Sequence, residues 1–283
     1  MRQRLTTVIA ILLLLSAGMG CSLLRPKRPF TWHVTLEVDP RATDREAAVK
    51  QTVAIIESRL NAFGVSRFEV RPQGDAAQGR IIVNLADVPD RERIKKIITA
   101  GGKLELTAVV TPPSPAPVQT YNSREEAIAS MASLGGTVPA NRRLLPYPER
   151  EEPIVPGNTP EPPQRPDRWL VVESPPIVDG SELRNATAVP SRTGGDEYHI
   201  AFSLKRAGAD KFGAWTGAHI NSYLGVVLND EVKSVAYIKS QIFDQGEISG
   251  RFTKQSAEDI AQVLNSGALP APIKIVEEGA NKN

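Results

Sequence analysis

A proline-dense stretch in the middle of the chain limits where regular structure can form. It runs from Thr111 to Arg168, opening with TPPSPAP and closing with PYPEREEPIVPGNTPEPPQRPDR. Proline has no N–H and a fixed φ, so at this density it interrupts ladders and helices and favours extended or irregular chain. The stretch is long for a plain connection and marks a domain boundary or an inserted lobe. Within it, Ser123-Arg-Glu-Glu126 opens a short helix to about Leu134. A polyproline recognition site is one reading of this composition; a spacer or surface insertion is the simpler one. At 283 residues and 41% apolar content the chain can still bury a substantial core. The expected organisation is a first domain over 32–111, a Pro-rich linker or inserted lobe over 112–168, and a second α+β domain over 169–278.

The first flank alternates elements. Trp32 to Val38 reads as a strand, and Thr43-x-x-Glu46 as a capping box. Val49, Val53, Ile56, Leu60 and Phe63 then place one apolar stripe on a helix, which Gly64 ends with a left-handed residue. Phe68–Val70 and Arg80–Leu85 read as strands around a turn at Gln73, Gly74 and Asp75. Asp90 caps a second helix carrying Ile94, Ile97 and Ile98, and Lys103–Val110 is expected to close the unit as its last strand. The order β-α-β-β-α-β is that of a ferredoxin-like sandwich, with another α+β plait as the alternative.

The second flank repeats the order. Trp169–Val172 and Leu183–Ala188 lead in as strands, and Tyr198–Leu204 begins the run. A helix from Ala207 to His219 carries Phe212 and Trp215, with Trp215 read as a core anchor rather than a partner-binding patch. Tyr223–Leu228 and Glu231–Ile238 form a hairpin about Asn229-Asp230. Thr253 caps a helix with Ala257, Ile260, Ala261 and Leu264 inward, and Ile273–Val276 is the last strand. The expectation is two ferredoxin-like α+β sandwiches with the Pro-rich insertion between them.

The N-terminus carries an address. Arg2 and Arg4 precede an apolar run from Val8 to Leu15, then small residues and the lone cysteine, Cys21. That order is an export signal, with residues 1–20 removed and Cys21 acylated in a lipoprotein. The alternatives are an uncleaved anchor helix over Leu5–Leu24 and ordinary secretion. Each places the body, after a tether over 21–31, outside the cytoplasm; 279–283 is a tail. The reading is therefore a periplasmic, membrane-tethered protein of the bacterial cell envelope, held to the lipid bilayer by acylated Cys21 or by an anchor.

Composition removes several functions. The formal net charge is +2, of which Arg2 and Arg4 supply two, so the body offers no electrostatic footprint for nucleic acid. Lys95-Lys96 and Arg142-Arg143 read as solvated surface. One cysteine excludes an intramolecular disulfide, and His33, His199 and His219 are far apart. The chain lacks HExxH, GxSxG, P-loop and GxGxxG patterns, so no cofactor or metal is expected. Asp39, Glu69 and Glu105 are the carboxylates available for acid–base work, but spacing alone pairs none of them.

Several segments resemble the first large periplasmic domain of the export subunit SecD, of the SecD/SecF family. Arg59-Leu-Asn-Ala-Phe-Gly-Val65, with Gly64 and Val65 at its end, is similar to one family segment. Gln73-Gly74, followed by Arg80-Ile-Ile-Val83 and Val88, is similar to its continuation. Gly246-Glu-Ile-Ser-Gly250-Arg-Phe252-Thr253 resembles G-x-I-x-G-x-F-T, and Gly267-Ala268-Leu269-Pro270-Ala271-Pro272 resembles the G-A-L-P-A-P signature. Trp169-Leu-Val-Val172 resembles the strand opening the family's second half. The resemblance implies a non-enzymatic accessory of Sec-dependent export that binds unfolded secretory polypeptide or Sec translocase membrane subunits. Members normally continue into a transmembrane bundle, whereas this sequence runs to Asn283, so a proton-coupled motor is not expected in it. Arg25-Pro-Lys-Arg-Pro29 stands near the family's glycine-rich segment, and the common Ala-Pro pair is missing near Val235-Ala-Tyr237. An envelope lipoprotein reusing the fold for structure or assembly is the alternative function.

Overall fold

The computed structural model describes residues 29–112, 116–131, 138–148, 168–192 and 196–281. Cys21, the export signal and most of the proline-dense run before Arg168 lie outside the described residues.

The first unit follows its hydrophobic periodicity. It comprises β1 (Trp32–Val38), α1 (Arg45–Ala62), β2 (Phe68–Pro72), β3 (Arg80–Leu85) and α2 (Arg91–Thr99). Alternate residues Val34 and Leu36 of β1 lie opposite Val83 and Ile81 of β3. All four pack in one core with Val49, Ile56 and Leu60 of α1 and Ile98 of α2. The N-cap of α1 is Asp44, whose side chain accepts from Ala47 N–H at 2.9 Å, so the expected Thr43 cap is one residue early. At the other end Gly64 has φ +71. Its N–H donates to Asn61 O and that of Val65 to Leu60 O, the two bonds of a Schellman stop.

The closing strand is not the expected one. The sheet order is β13-β1-β3-β2, antiparallel throughout, and its fourth strand is β13 (Ile273–Ala280) from the end of the chain. The strand following α2, β4 (Leu104–Ala108), leaves for another sheet. Burial gives the reason. Every β4 residue is buried, so it needs cover on both faces, whereas Lys274, Glu277 and Glu278 of β13 are exposed, as suits an edge.

The second unit also departs from the expected single sheet. Its elements are β4, α3 (Arg124–Ser130), β5 (Arg142–Tyr147), β6 (Arg168–Glu173), β7 (Val178–Asp179), β8 (Leu183–Pro190), β9 (Tyr198–Leu204), α4 (Arg206–Ala218), β10 (Tyr223–Leu228), β11 (Glu231–Tyr237), β12 (Gln245–Phe252) and α5 (Lys254–Asn265). They form sheets ordered β11-β10-β4-β7, β12-β9-β8 and β5-β6. The two larger sheets share a core of Leu106, Phe202, Phe212, Val226, Ile248 and Leu264. The repeated element order therefore does not give a second sheet of the same plan: β9 and the β10–β11 hairpin lie in different sheets, and β13 joins the first unit. The unforeseen β12 occupies one edge of β9. It is glycine-rich, yet Gly246 lies under the Phe202 ring, which would come within 2.5 Å of an added Cβ.

Part of the proline-dense stretch is folded. β5 pairs with β6 despite Pro146, which lies opposite Trp169. The Trp169 N–H instead donates to Tyr121 O at 2.8 Å, so the proline breaks no bond of that ladder. Leu145, Leu170 and Val172 pack on Val227 and Val232 of the β10–β11 hairpin. The pair Arg142-Arg143 is correspondingly not plain surface, because Arg143 reaches the buried Glu105 at 2.5 Å.

Candidate functional site: the cleft between the two units

The two units have separate cores and share no sheet. Two chain crossings join them, 100–103 outward and 266–272 on the return. A cleft of about 1000 Å³ opens beside these crossings, with Ile55 of α1, Leu104 and Pro176 among its apolar lining and residues 266–273 along one side.

One side chain organises both crossings. Arg59 of α1 is 0% exposed. Its Nη1 donates to the carbonyls of Ile97 (3.0 Å), Ile98 (3.4 Å) and Ala100 (2.5 Å), and its Nη2 donates to Gly267 O at 3.1 Å. The first three carbonyls end α2, where the helix dipole favours a cation. Burial pulls the Arg59 pKa down to about 10, so the group is charged at neutral pH. The crossings also bond each other, Leu269 N–H donating to Gly101 O at 2.8 Å, and Pro272 O accepts from Asp39 N–H at 2.8 Å.

A charged group lines the far wall. Glu105, 4% exposed, receives Arg143 at 2.5 Å and Lys103 at 3.3 Å; Asp230, on the β10–β11 turn, lies 3.2 Å from Lys103. The other sequence-selected carboxylates are elsewhere: Asp39 is held by Arg41 at 2.8 Å, and Glu69 accepts from Asn84 at 3.0 Å. The arrangement thus brings none of the three together as an acid–base pair. Among the described residues no group of three or more His, Cys, Asp or Glu could hold a metal. His33 meets Asn281 at 2.7 Å, His199 meets Glu247 at 3.4 Å, and His219 stacks on the half-buried Trp215 with centroids 4.3 Å apart. On α4 Phe212 is fully buried in the core, and Trp215, half-buried, packs against the same core.

The family-motif positions divide by role. Arg59, Gly267, Ala268, Leu269, Pro270, Ala271 and Pro272 converge on the crossings. Gly64 and Val65 stop α1; Gly74, φ +77, turns the chain after Gln73, whose N–H donates to Arg80 O. Gly246 admits the Phe202 ring, Gly250 lies where the β12–β9 register shifts, Phe252 is in the core, and Thr253 Oγ1 accepts from Ser256 N–H at 3.1 Å to cap α5. Sequence reading places Gly101-Gly102 at the close of α2 but missed the packing of Gly102, φ +72, where an added Cβ would lie 3.0 Å from Arg59 Nη2 and 3.1 Å from Gly267 O. It also missed the pair of Arg93 on α2 with Asp259 on α5, at 3.1 and 2.5 Å. The Gly101-Gly102 dipeptide was a visible signal for the first; nothing local links Arg93 to Asp259.

Comparison with known proteins gives a consistent picture. Residues 49–111 match a family model described as the N-terminal part of the P1 domain of the protein translocase subunit SecDF. Residues 156–271 match one described as the SecDF P1 head subdomain. The protein translocase subunit SecD of Koribacter versatilis is 34% identical over 234 residues, covering 83% of this chain and 39% of that protein. SecD of Aquifex aeolicus is 32% identical over 83% of the chain and 40% of its own length. SecD of Elusimicrobium minutum is 31% identical over 87% and 49%. The chain therefore spans less than half the length of these relatives. A crystal structure of SecDF in a super-membrane-facing form is similar with TM-score 0.62 and 24% identity, covering 99% of this chain and 35% of that one. A second structure, of a membrane component SecDF that enhances protein export, gives TM-score 0.60 and 24% identity over 87% and 98%. Both likenesses concern the fold. No helix among the described residues is long and apolar enough to cross a membrane.

Proposed function

The chain belongs to the SecD family through its P1 region, and from that premise we propose that it is a non-enzymatic accessory of Sec-dependent protein export, tethered on the extracytoplasmic side. In this reading it binds translocating polypeptide or translocase membrane subunits. The observation that carries it is a cleft bordered by Gly267–Ala271 from the second matched part of the P1 region, with the Gly267 carbonyl held from behind by the buried Arg59 of the first. The structurally similar SecDF described as enhancing protein export supports the same role. An extended, unfolded chain suits such a cleft, because its apolar side chains can meet the partly exposed Leu269 and Ile273 while its backbone bonds to polar groups at the rim.

A photo-crosslinker at Gln51, an exposed position of α1 lining the cleft, tests the reading. It is expected to capture an unfolded secretory polypeptide and to lose it when that polypeptide folds. Failure to bind both unfolded chains and translocase subunits sinks the proposal. Recovery of a different envelope complex alone, from native membranes, would assign the chain to assembly or scaffolding. We further propose acylation at Cys21 as the tether, with Cys21→Ser releasing the protein from the membrane fraction; retention there would favour an anchor helix.

A further inference from the structure

We propose that the orientation of the second unit on the first is set by a two-part clasp, with Arg59 as a fixed pivot and the Arg93–Asp259 pair as a releasable latch. The inference concerns orientation and stands whether or not the binding reading above is correct.

The pivot follows from convergence. The carbonyls at the end of α2, where the chain leaves the first unit, and Gly267 O, where it returns, bond the same guanidinium. Each crossing has a left-handed glycine there, Gly102 at φ +72 and Gly267 at φ +89, conformations that other residues adopt only with strain. Gly102 is packed against Arg59 Nη2, Gly267 O and Val263 Cγ1, so both crossings are pinned at one point. Because Arg59 is buried and bonds carbonyls rather than a carboxylate, added salt has little access to it.

The latch differs in each respect. Arg93 lies on the first unit and Asp259 on the second, joined by Nε–Oδ2 at 3.1 Å and Nη2–Oδ1 at 2.5 Å. Their side chains are 36% and 22% exposed, so salt and water reach the pair. Bidentate geometry gives it direction as well as attraction. A fixed pin leaves rotation about itself, and a second, directional contact away from the pin selects one angle. Opening the latch therefore frees orientation without unfolding either core.

The test uses the full chain with nitroxide-bearing noncanonical residues at the exposed positions Ser58 and Ser240, one on each unit, read by pulsed dipolar spectroscopy. One principal distance is expected for the parent protein at low salt. Asp259→Asn is expected to raise the fraction of molecules outside that peak about fivefold, as is high salt on the parent. The charge swap Arg93→Asp with Asp259→Arg should restore the peak, which a merely structural role for either residue would not predict. Arg59→Lys keeps the charge but cannot serve both crossings, and should broaden the distribution and deprotect the Leu269 amide. Asp259→Asn leaves Arg59 and both cores intact, so the latch stays testable if the Arg59 variant fails to fold. A parent-like distribution in Asp259→Asn, or a charge swap as broad as the single variant, overturns the latch. Unchanged Leu269 protection in folded Arg59→Lys overturns the pivot.

Discussion

The two units solve the same packing problem with opposite use of the chain. The second is built almost entirely from contiguous sequence, from β4 through α5. The first is interrupted after α2 and completed only when β13 returns to pair with β1. A contiguous unit can gain its contacts as its own loops close. A split one must wait for the ends to meet, at a larger entropy cost. The first unit should thus be the one whose integrity depends on the far end of the polypeptide.

Ending the chain after Pro272 is the strongest way to break this contrast. It removes β13 and leaves β1, whose core residues Val34 and Leu36 are 0% exposed, as an unpaired edge. The expected result is loss of hydrogen-exchange protection throughout β1, β3 and α1, with β9, β10 and α5 still protected. Equal loss in both units would show that the second is not independent; retained protection in the first would show that β13 is dispensable.

The next effect tests how the second unit keeps its charges. Arg59 in the first unit is buried on carbonyls, whereas Glu105 in the second is buried on cations, Arg143 from the inserted stretch and Lys103. Glu105→Ala removes a group whose loss leaves Arg143, among the described residues, with Asp230 at 3.5 Å as its acidic partner. Breaking a buried pair on one side costs about 3 kcal/mol. A matching fall in the urea midpoint of the second unit is expected, with β5–β6 losing protection first. A change within a few tenths of a kcal/mol would show the pair to be solvated in effect.

This also explains what could be read beforehand. Helices α1, α2 and α5 were legible because their stripes and caps are local: Val49, Ile56 and Leu60 recur at helical spacing, and Asp90 and Thr253 stand where N-caps belong. Strand existence was mostly legible as well, but partnership was not. Nothing within Leu104–Ala108 says that its second face will be covered by Arg143 and by Glu173, whose carbonyl accepts from Thr107 Oγ1 at 2.6 Å. The glycines of β12 carry no strand signal of their own, because Gly246 needs the distant Phe202 to make sense of it. At the cleft, the family resemblance marked Arg59 and Gly267, and only three-dimensional placement joined them. Arg93–Asp259 joins two helices far apart in sequence, each end of it an ordinary surface charge when read alone.

The smallest expected effect separates the units by acid response. Carboxylates held below their ordinary pKa include Glu37, by its hydrogen bond with Lys274, Asp39, by Arg41, and Glu278, by Lys95, all in the first unit. In the second, Asp179 is lowered by its bond with Ser181. The sign follows from linkage: a depressed native pKa means that the unfolded chain binds the proton more readily, so stability falls with falling pH. For Asp39, lowered to about 2, the contribution is complete above an unfolded pKa of about 4 and is lost as pH falls between those values. Asp39 is exposed to solvent screening, so the change at neutral pH is small. Asp39→Asn should flatten the melting temperature of the first unit against pH in that window and leave the second unit's profile unchanged. An unaltered slope would mean that the Arg41 contact persists in the unfolded chain, where residues two apart can still meet, and the acid contrast between the units would then rest on Glu37 and Glu278, whose partners Lys274 and Lys95 are distant in sequence.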